Sequence, residues 1–169
     1  VLAANGVKFT DYHSNGSVCS PTRADLMTGK YQQRTGVGGV ITAKSHRTVG
    51  LNLNEVTIAA ELKKHGYNCG MFGKWHLGRM VPHQNWGQAT RMDHYTPGMA
   101  GFDEWFSVAH SVKTYDPYGA AGVDDPVEVD SDYNPYYHNG VEYTNTLFGD
   151  TSEIIMDRAL PFMETAANQ

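Results

Sequence analysis

Residues 54–72 of the chain read NEVTIAAELKKHGYNCGMF. Asn54 is a suitable N-cap, an amphipathic run follows it, and Gly66 is a suitable helix stop. The alternating residues after Gly66 predict a strand over 67–72. A helix, a glycine and a strand in this order are typical of the αβ step of a layered α/β domain, so we expect Cys69 to point into the sheet as a structural residue.

The segments before this step are less regular. Residues 7–12 alternate apolar and polar side chains, which predicts a half-buried strand. Ser20 and Pro21 are typical of an N-cap and a first helical position, and Gly29 of a helix end, so a short helix is expected over about 21–28. The Gly-, Thr- and Ser-rich residues 35–52 are interpreted as a loop.

The segments after this step include two long irregular stretches, 79–100 and 113–141, which hold most of the Pro, Asp, His and Tyr residues. Residues 136–143 nevertheless predict a β-hairpin, because Asn139-Gly140 is typical of a type I′ turn. The last helix is expected to start at Asp150, with Glu153 completing a capping box.

That last helix contains a proline at position 161. A proline inside a helix removes one hydrogen bond and clashes with the preceding turn. We therefore expect the helix to end or kink near Leu160.

Composition suits one globular domain and excludes several classes of protein. The 169 residues contain 40% hydrophobic and 18% charged residues, with a formal net charge of -5. This charge is too acidic for a nucleic-acid partner, and no apolar run approaches the roughly 18 residues of a membrane span. Basic residues outnumber acidic ones 11 to 7 up to Phe106, whereas acidic residues lead 11 to 2 afterwards, so an anion is expected to bind the front half.

The chemistry centres on Cys19-Ser-Pro-Thr-Arg23, where a loop meets a helix N-terminus. A sulfur or its oxidised derivative would face free backbone donors and the positive end of the helix, and Arg23 lies one turn further on. A thiolate phosphatase loop needs Arg six positions after its Cys, but that position is Asp25. Cys19 and Cys69 form no CxxC pair. The motif therefore predicts an anion site that contains a reactive group.

These residues resemble the signature of the type I (formylglycine-dependent) sulfatases, with an arylsulfatase-like pattern. Residues 72–78, Phe-Gly-Lys-Trp-His-Leu-Gly, are similar to the second signature of that family, and residues 101–106 to the segment that follows it. The resemblance implies an α/β fold, an alkaline-phosphatase-like mixed sheet flanked by helices. It also implies that residues 1–169 are the N-terminal portion of a catalytic domain whose first strand and C-terminal part are missing, so the fold is present only in part.

The resemblance further implies roles for four catalytic residues. Cys19 would be oxidised to formylglycine, whose hydrate attacks sulfur, releases the alcohol and then expels sulfate. Arg23 and Lys74 would hold the hydrate and neutralise negative charge, and His76, on the same side of an extended segment as Lys74, would pass a proton. Ser111 aligns loosely with a position that approaches the sulfate in some relatives, and His110 has a weaker claim.

The resemblance also implies calcium as the metal. Cys19, as formylglycine, would be the only ligand in this chain, and the remaining ligands would lie outside it, so the isolated chain is expected to be inactive. Asp124-Asp125 follows the cysteine motif, whereas the family's aspartate pair precedes it. Asp130–Asn134 resembles an EF-hand opening, but Pro135 replaces the required Gly. Both are interpreted as solvated acidic loops.

The expected partners are a sulfated small molecule or carbohydrate and a formylglycine-generating maturation enzyme, with no nucleic acid and no membrane span. Relatives are commonly periplasmic, lysosomal or secreted, and the compartment of this protein stays open. Two alternatives also stay open: a formylglycine-dependent phosphonate or phosphate monoester hydrolase, and a sulfatase-like binding protein without catalysis.

Overall fold

The computed structural model describes residues 2–42, 49–78, 80, 96–110, 135–143 and 147–167. Within these ranges the chain forms one mixed sheet with helices beside it, which confirms the predicted α/β class. The elements in chain order are α1 (Leu2–Asn5), α2 (Cys19–Thr28), α3 (Gln32–Thr35), α4 (Ile58–Lys64), β1 (Gly70–Lys74), β2 (Glu104–Val108), β3 (Tyr136–His138), β4 (Val141–Glu142) and α5 (Thr151–Ala167).

The sheet has four strands in the order β1-β2-β3-β4. Strands β1 and β2 are parallel, with Lys74 opposite Val108, whereas β3 is antiparallel to β2 and forms a hairpin with β4. Asn139 and Gly140 join the hairpin with φ angles of 49° and 87°, the positive values that a type I′ turn needs. The hairpin prediction is confirmed.

The α4-to-β1 step is confirmed as a helix followed by a strand, but its boundaries differ from the prediction. The N-cap is Thr57, not Asn54, because the Thr57 hydroxyl accepts the Ala60 N–H at 3.1 Å and also bonds the Ala100 carbonyl. That second bond crosses to the turn before β2, so a tertiary contact selects the cap. Strand β1 begins at Gly70, where its register with β2 begins, and Cys69 is buried as expected.

Helix α2 begins at Cys19, two residues earlier than predicted, and Val18 is its N-cap without a side-chain bond. The Ser20 hydroxyl does not cap the helix, because it accepts the Ile41 N–H at 3.1 Å. Pro21 is the third helical residue, where the missing N–H would have no partner inside the helix. The end is as predicted: Gly29 has a φ of 66°, and its N–H donates to the Asp25 carbonyl at 2.8 Å.

The predicted strand over residues 7–12 is wrong. These residues form no strand, and the side chains of Val7, Phe9 and Tyr12 are 80%, 71% and 70% exposed. Alternation becomes a strand only where a neighbouring strand supplies hydrogen bonds, and no described residue pairs with this segment. The loop prediction for 35–52 is confirmed at residues 36–42 and 49–51, with α3 ending at Thr35.

Helix α5 begins directly after Asp150, as predicted, and the Asp150 carboxylate accepts the Ser152 N–H at 2.7 Å. It continues through Pro161 to Ala167, so the expectation that it ends near Leu160 is wrong, whereas the alternative of a kink there stays a prediction. Beyond the proline, Phe162 packs against the Phe72 ring of β1, with 5.6 Å between ring centroids. This packing compensates for the hydrogen bond that Pro161 cannot make.

Buried residues form two hydrophobic clusters. One packs α2 against the segments around residues 37–51 and the end of β1, and its largest members are Trp75, Ile41, Leu51 and Leu77. The other packs the sheet against α5 and is built on Phe106, Val108, Tyr136, Leu147 and Ile154. No helix among the described residues is long and apolar enough to cross a membrane.

Candidate active site

The N-terminal half of α2 meets the C-terminal end of β1 through a direct hydrogen bond. Arg23 Nη1 donates to the main-chain carbonyl of Lys74 at 2.6 Å. Cys19 is the first residue of α2 and is partly exposed, one helical turn before Arg23. An arginine of the first sequence motif thus bonds a main-chain carbonyl of the second motif, 51 positions further along the chain.

The start of α2 gives Cys19 an electropositive setting. The first bond of the helix runs from the Thr22 N–H to the Val18 carbonyl at 3.2 Å, so the N–H groups of Cys19 and Ser20 have no acceptor inside the helix. Free N–H groups and the helix dipole both favour negative charge at this end. Cys19 therefore lies where an anion is attracted.

Arg23 adds a full positive charge to this setting. Burial lowers the pKa of its guanidinium, and the nearby Cys19 raises it. A guanidinium stays protonated in proteins even when it is half-buried. Arg23 is thus a cation close enough to Cys19 for the two groups to interact electrostatically.

His76 is held in a defined state by its surroundings. Its side chain is only 3% exposed, and its Nε2 lies 2.7 Å from the Ile41 carbonyl oxygen. A carbonyl oxygen can only accept, so Nε2 carries the proton and the lone pair is on Nδ1. Nδ1 is buried without a hydrogen-bond partner among the described residues. Burial, followed by the charge of Lys74, lowers the His76 pKa to about 4, so the ring is neutral at pH 7.

The backbone at His76 corrects one sequence-based expectation. Strand β1 ends at Lys74, and His76 has a φ of 60°, in the left-handed region that non-glycine residues seldom adopt. The two-residue alternation of an extended strand therefore does not set the direction of the His76 side chain. Its position follows from the bond of its N–H to the Ala109 carbonyl at 3.0 Å and from the Ile41 contact.

Lys74 and His110 complete a basic cluster. The charged groups that lower the His76 pKa are Lys74, Arg23 and His110, and all three are basic. Burial and the charge of Lys74 also lower the His110 pKa. Repulsion among these groups is relieved when an anion enters, so the cluster is suited to a tetrahedral oxyanion.

His110 belongs to this cluster in the structure, although its sequence position gave it only a weak claim to the site. The feature that could have pointed to His110 is its position just after β2. The Trp75 N–H donates to the Val108 carbonyl at 3.0 Å, and the His76 N–H donates to the Ala109 carbonyl. Pairing between the two chain segments thus continues past the end of β1. A histidine directly after Ala109 is carried to the same edge of the sheet as His76.

Several predicted residues lie outside the described residues. They are Ser111, Asp124-Asp125 and the EF-hand-like residues 130–134, so their predictions stay untested. Among the residues that the structure does describe, no group of three or more His, Cys, Asp or Glu side chains could hold a metal ion. The described part of the site therefore does not fit calcium by itself.

A cleft of about 520 Å³ lies away from this site, between α5 and the N-terminal ends of β1 and β2. Three of the polar groups that line it already have partners. Glu104 bonds His138 at 2.5 Å, Arg158 bonds the Tyr143 hydroxyl at 2.7 Å, and Asp103 pairs with Lys63. The cleft shares no residue with the basic cluster.

The chain is similar in sequence to known proteins. The sulfatase family model matches residues 1–168. Arylsulfatase G from Canis lupus familiaris is 41% identical over 110 residues, which cover 65% of this chain and 18% of that protein. Human arylsulfatase A is 48% identical over 77 residues, covering 46% of this chain and 15% of that protein. The chain thus spans less than a fifth of the length of these relatives.

A solved structure supports the fold. The crystal structure of Ps i-CgsB in complex with k-i-k-neocarrahexaose has a TM-score of 0.73 to this chain at 24% sequence identity. The match covers 92% of this chain and 33% of that one. The similarity confirms the predicted arrangement of a mixed sheet with flanking helices, of the alkaline-phosphatase-like kind.

Proposed function

Because this chain belongs to the sulfatase family, we propose that residues 1–169 form part of the catalytic domain of a sulfuric ester hydrolase. On this proposal, residues 1–169 are the part of the domain that carries the nucleophile. The observation that carries the proposal is the basic cluster beside Cys19, in which Arg23, Lys74 and His110 act electrostatically on a buried, neutral His76. Such a cluster complements the charge of a sulfate ester and of the sulfate that leaves it.

Cys19 is the residue that we propose is converted to formylglycine. The position fits this group, because the side chain is partly exposed at the positive end of α2 and interacts with Arg23. The other cysteine does not fit: Cys69 is buried, and burial raises the pKa of its thiol. When present, formylglycine supplies a hydrated aldehyde whose hydroxyl group serves as the nucleophile.

The neighbouring side chains have distinct tasks in this proposal. Arg23 holds the end of β1 through the Lys74 carbonyl and adds positive charge next to residue 19. The Lys74 ammonium neutralises negative charge that develops on the ester oxygens. His76 accepts a proton at Nδ1, because Nε2 is already committed to Ile41 and because a pKa of about 4 leaves the ring neutral at pH 7.

Calcium does not fit the described residues, which hold no group of three or more ligating side chains. Calcium needs about six to eight oxygen ligands. We therefore propose that the calcium ligands, other than residue 19, are supplied by other parts of the protein. On this proposal the 169-residue chain alone does not turn over substrate.

The substrate class that we propose is a sulfated small molecule or carbohydrate, and the maturation partner is a formylglycine-generating enzyme. Support comes from the arylsulfatase relatives and from the intact Cys-x-Pro-x-Arg motif at residues 19–23. Ser111 stays a proposed substrate contact of the same site.

Mass spectrometry after co-expression with a formylglycine-generating enzyme tests the proposal. Trypsin separates Cys19, in the peptide 9–23, from Cys69, in the peptide 65–74, so the second cysteine is an internal control. The expected result is the mass of an aldehyde at Cys19 and of an unmodified thiol at Cys69. An unmodified thiol at both positions would contradict the formylglycine proposal.

An activity assay tests the second part of the proposal. The matured chain is incubated with an aryl sulfate with and without added calcium, and release of the phenol is measured. We expect no release above that of the Cys19→Ala chain. Calcium-dependent turnover by the matured chain would show that residues 1–169 suffice, and would overturn the proposed need for other parts of the protein.

A further inference from the structure

Ser20 is connected to His76 through the backbone of a single residue. The Ser20 hydroxyl oxygen accepts the Ile41 N–H at 3.1 Å, and the Ile41 carbonyl accepts the His76 Nε2 proton at 2.7 Å. Ser20 and Ile41 are 0% and 2% exposed, so water does not compete for these bonds. A chain of two hydrogen bonds thus runs from the residue next to Cys19 to the imidazole of His76.

We infer that Ser20 is a positioning residue that fixes the tautomer of His76 by holding Ile41 in place. The inference rests on the proposed function, in which His76 must present a lone pair at Nδ1. That requirement is met only while Nε2–H has an acceptor, and the Ile41 carbonyl is that acceptor. The Ser20 hydroxyl bonds the Ile41 N–H and the imidazole bonds the Ile41 carbonyl, so Ser20 acts on His76 through residue 41.

The side chain of Ile41 supports this arrangement. It belongs to the same buried cluster as Ala24 of α2 and Trp75, the residue before His76. Packing fixes the distance between α2 and the segment after β1, while the Ser20 hydroxyl fixes the orientation of the Ile41 backbone. Without the hydroxyl, the Ile41 N–H would be buried without an acceptor, and the backbone would turn to find one.

The buried Nδ1 of His76 gives this positioning a chemical purpose. Nδ1 has no partner among the described residues, although a buried polar atom normally has one. A lone pair left open in this way is available to a hydroxyl group that reaches the site. The opposite tautomer would present an N–H at Nδ1 instead, and could not accept the proton of such a hydroxyl group.

Nitrogen NMR of the imidazole tests the inference on the unmodified chain. With ¹⁵N-labelled histidine at a pH where His76 is neutral, the shifts of Nδ1 and Nε2 report which nitrogen carries the proton. In the chain as it stands we expect the Nε2–H tautomer. In Ser20→Ala we expect the ratio of Nδ1–H to Nε2–H to rise by about fivefold, as loss of one supporting hydrogen bond would give.

Two further variants make the result specific. Ser20→Thr keeps the hydroxyl and should restore the original tautomer ratio. Thr28→Ala removes a hydroxyl from the same helix, one that bonds only local backbone groups, and should leave the ratio unchanged. If Ser20→Ala does not fold, Ser20→Cys replaces it, since sulfur keeps the volume but accepts hydrogen bonds weakly.

An unchanged ratio in the folded Ser20→Ala or Ser20→Cys chain would overturn the inference, as would a Nδ1–H tautomer in the original chain. Neither result bears on whether Cys19 is converted to formylglycine. Conversely, a chain whose Cys19 is not converted could still show the tautomer shift. The tautomer measurement and the mass measurement therefore fail independently.

Discussion

Arg23 Nη1 donates a hydrogen bond to the carbonyl oxygen of Lys74 at 2.6 Å, and this bond joins helix α2 to the end of strand β1. This arginine thereby holds the Cys-x-Pro-x-Arg motif and the Lys-x-His motif together. It also interacts electrostatically with Cys19. One side chain has both a structural and a chemical task. Substitutions at Arg23 therefore affect stability as well as the charge of the site.

Replacing Arg23 with Lys should lower the free energy of unfolding by about 1–3 kcal/mol. Lysine keeps the positive charge but lacks the planar guanidinium that reaches the Lys74 carbonyl. Urea denaturation followed by circular dichroism measures the change. Arg34→Lys, at an exposed position of α3, is the matched control and should change stability by less than about 0.5 kcal/mol. Equal effects of the two substitutions would contradict a specific role for the Arg23 bond.

The buried His76 should make the chain less stable in acid. Its folded pKa of about 4 lies below the ordinary 6.5, so the unfolded state binds more protons between these values. Stability is therefore retained above pH 6.5 and falls by on the order of 3 kcal/mol as the pH drops to about 4. Urea denaturation at a series of pH values measures this slope.

The variant His76→Gln should flatten that slope, because glutamine does not titrate. His13→Gln is the control, since the His13 side chain is 84% exposed and should leave the slope as it was. A slope that persists unchanged in His76→Gln would show that other groups cause the acid sensitivity.

Removing the Asp25 carboxylate should stabilise the chain. Asp25 is 4% exposed, and both of its carboxylate oxygens are buried without a hydrogen-bond partner among the described residues. Burial raises its pKa above the ordinary 3.8, so the folded state is penalised once the carboxylate ionises. Asp25→Ala should raise the free energy of unfolding by about 1–3 kcal/mol at pH 7.

The Asp25 effect has a characteristic pH dependence, opposite to that of His76. Below pH 3.8 the carboxyl group is protonated in both states, so the gain from Asp25→Ala should shrink there. Asp157→Ala, at an exposed position of α5, is the control and should show no such gain. A loss of stability in Asp25→Ala at pH 7 would reveal that the carboxylate has a partner in solution.

Replacing Gly101 with Ala should disrupt the contact between α4 and the turn before β2. Gly101 has a φ of 102°, and an added Cβ would lie 2.5 Å from the Ala60 main-chain nitrogen. Both the backbone angle and the contact oppose any side chain, so we expect a loss of about 2–4 kcal/mol. Thermal denaturation measures it.

Gly38→Ala is the control for Gly101→Ala. A Cβ at residue 38 meets nothing within 4 Å, and its φ is not in the left-handed region. The midpoint of its thermal unfolding should stay the same or rise slightly, since alanine lowers the conformational entropy of the unfolded chain. A midpoint for Gly101→Ala equal to that of Gly38→Ala would mean that the turn can move away from α4.

Local signals in the sequence predicted several elements correctly. Gly29 ends α2, Asn139-Gly140 forms the hairpin turn, and Asp150 precedes α5, because each depends on backbone preferences of residues within one turn. The strand expected over residues 7–12 failed, because pairing needs a neighbour that periodicity does not reveal. The helix end expected near Leu160 failed because packing of Phe162 lies outside the reach of a local rule.

The sequence by itself determined the family and named Cys19, Arg23, Lys74 and His76, since motif spacing is a property of the chain. Only the tertiary structure decided which atoms these residues use. The bonds from Arg23 to Lys74 and from His76 to Ile41 span 51 and 35 positions of the sequence. The left-handed backbone conformation of His76 sets the direction of its side chain. Such contacts depend on how helices and strands pack, and no local periodicity encodes that packing.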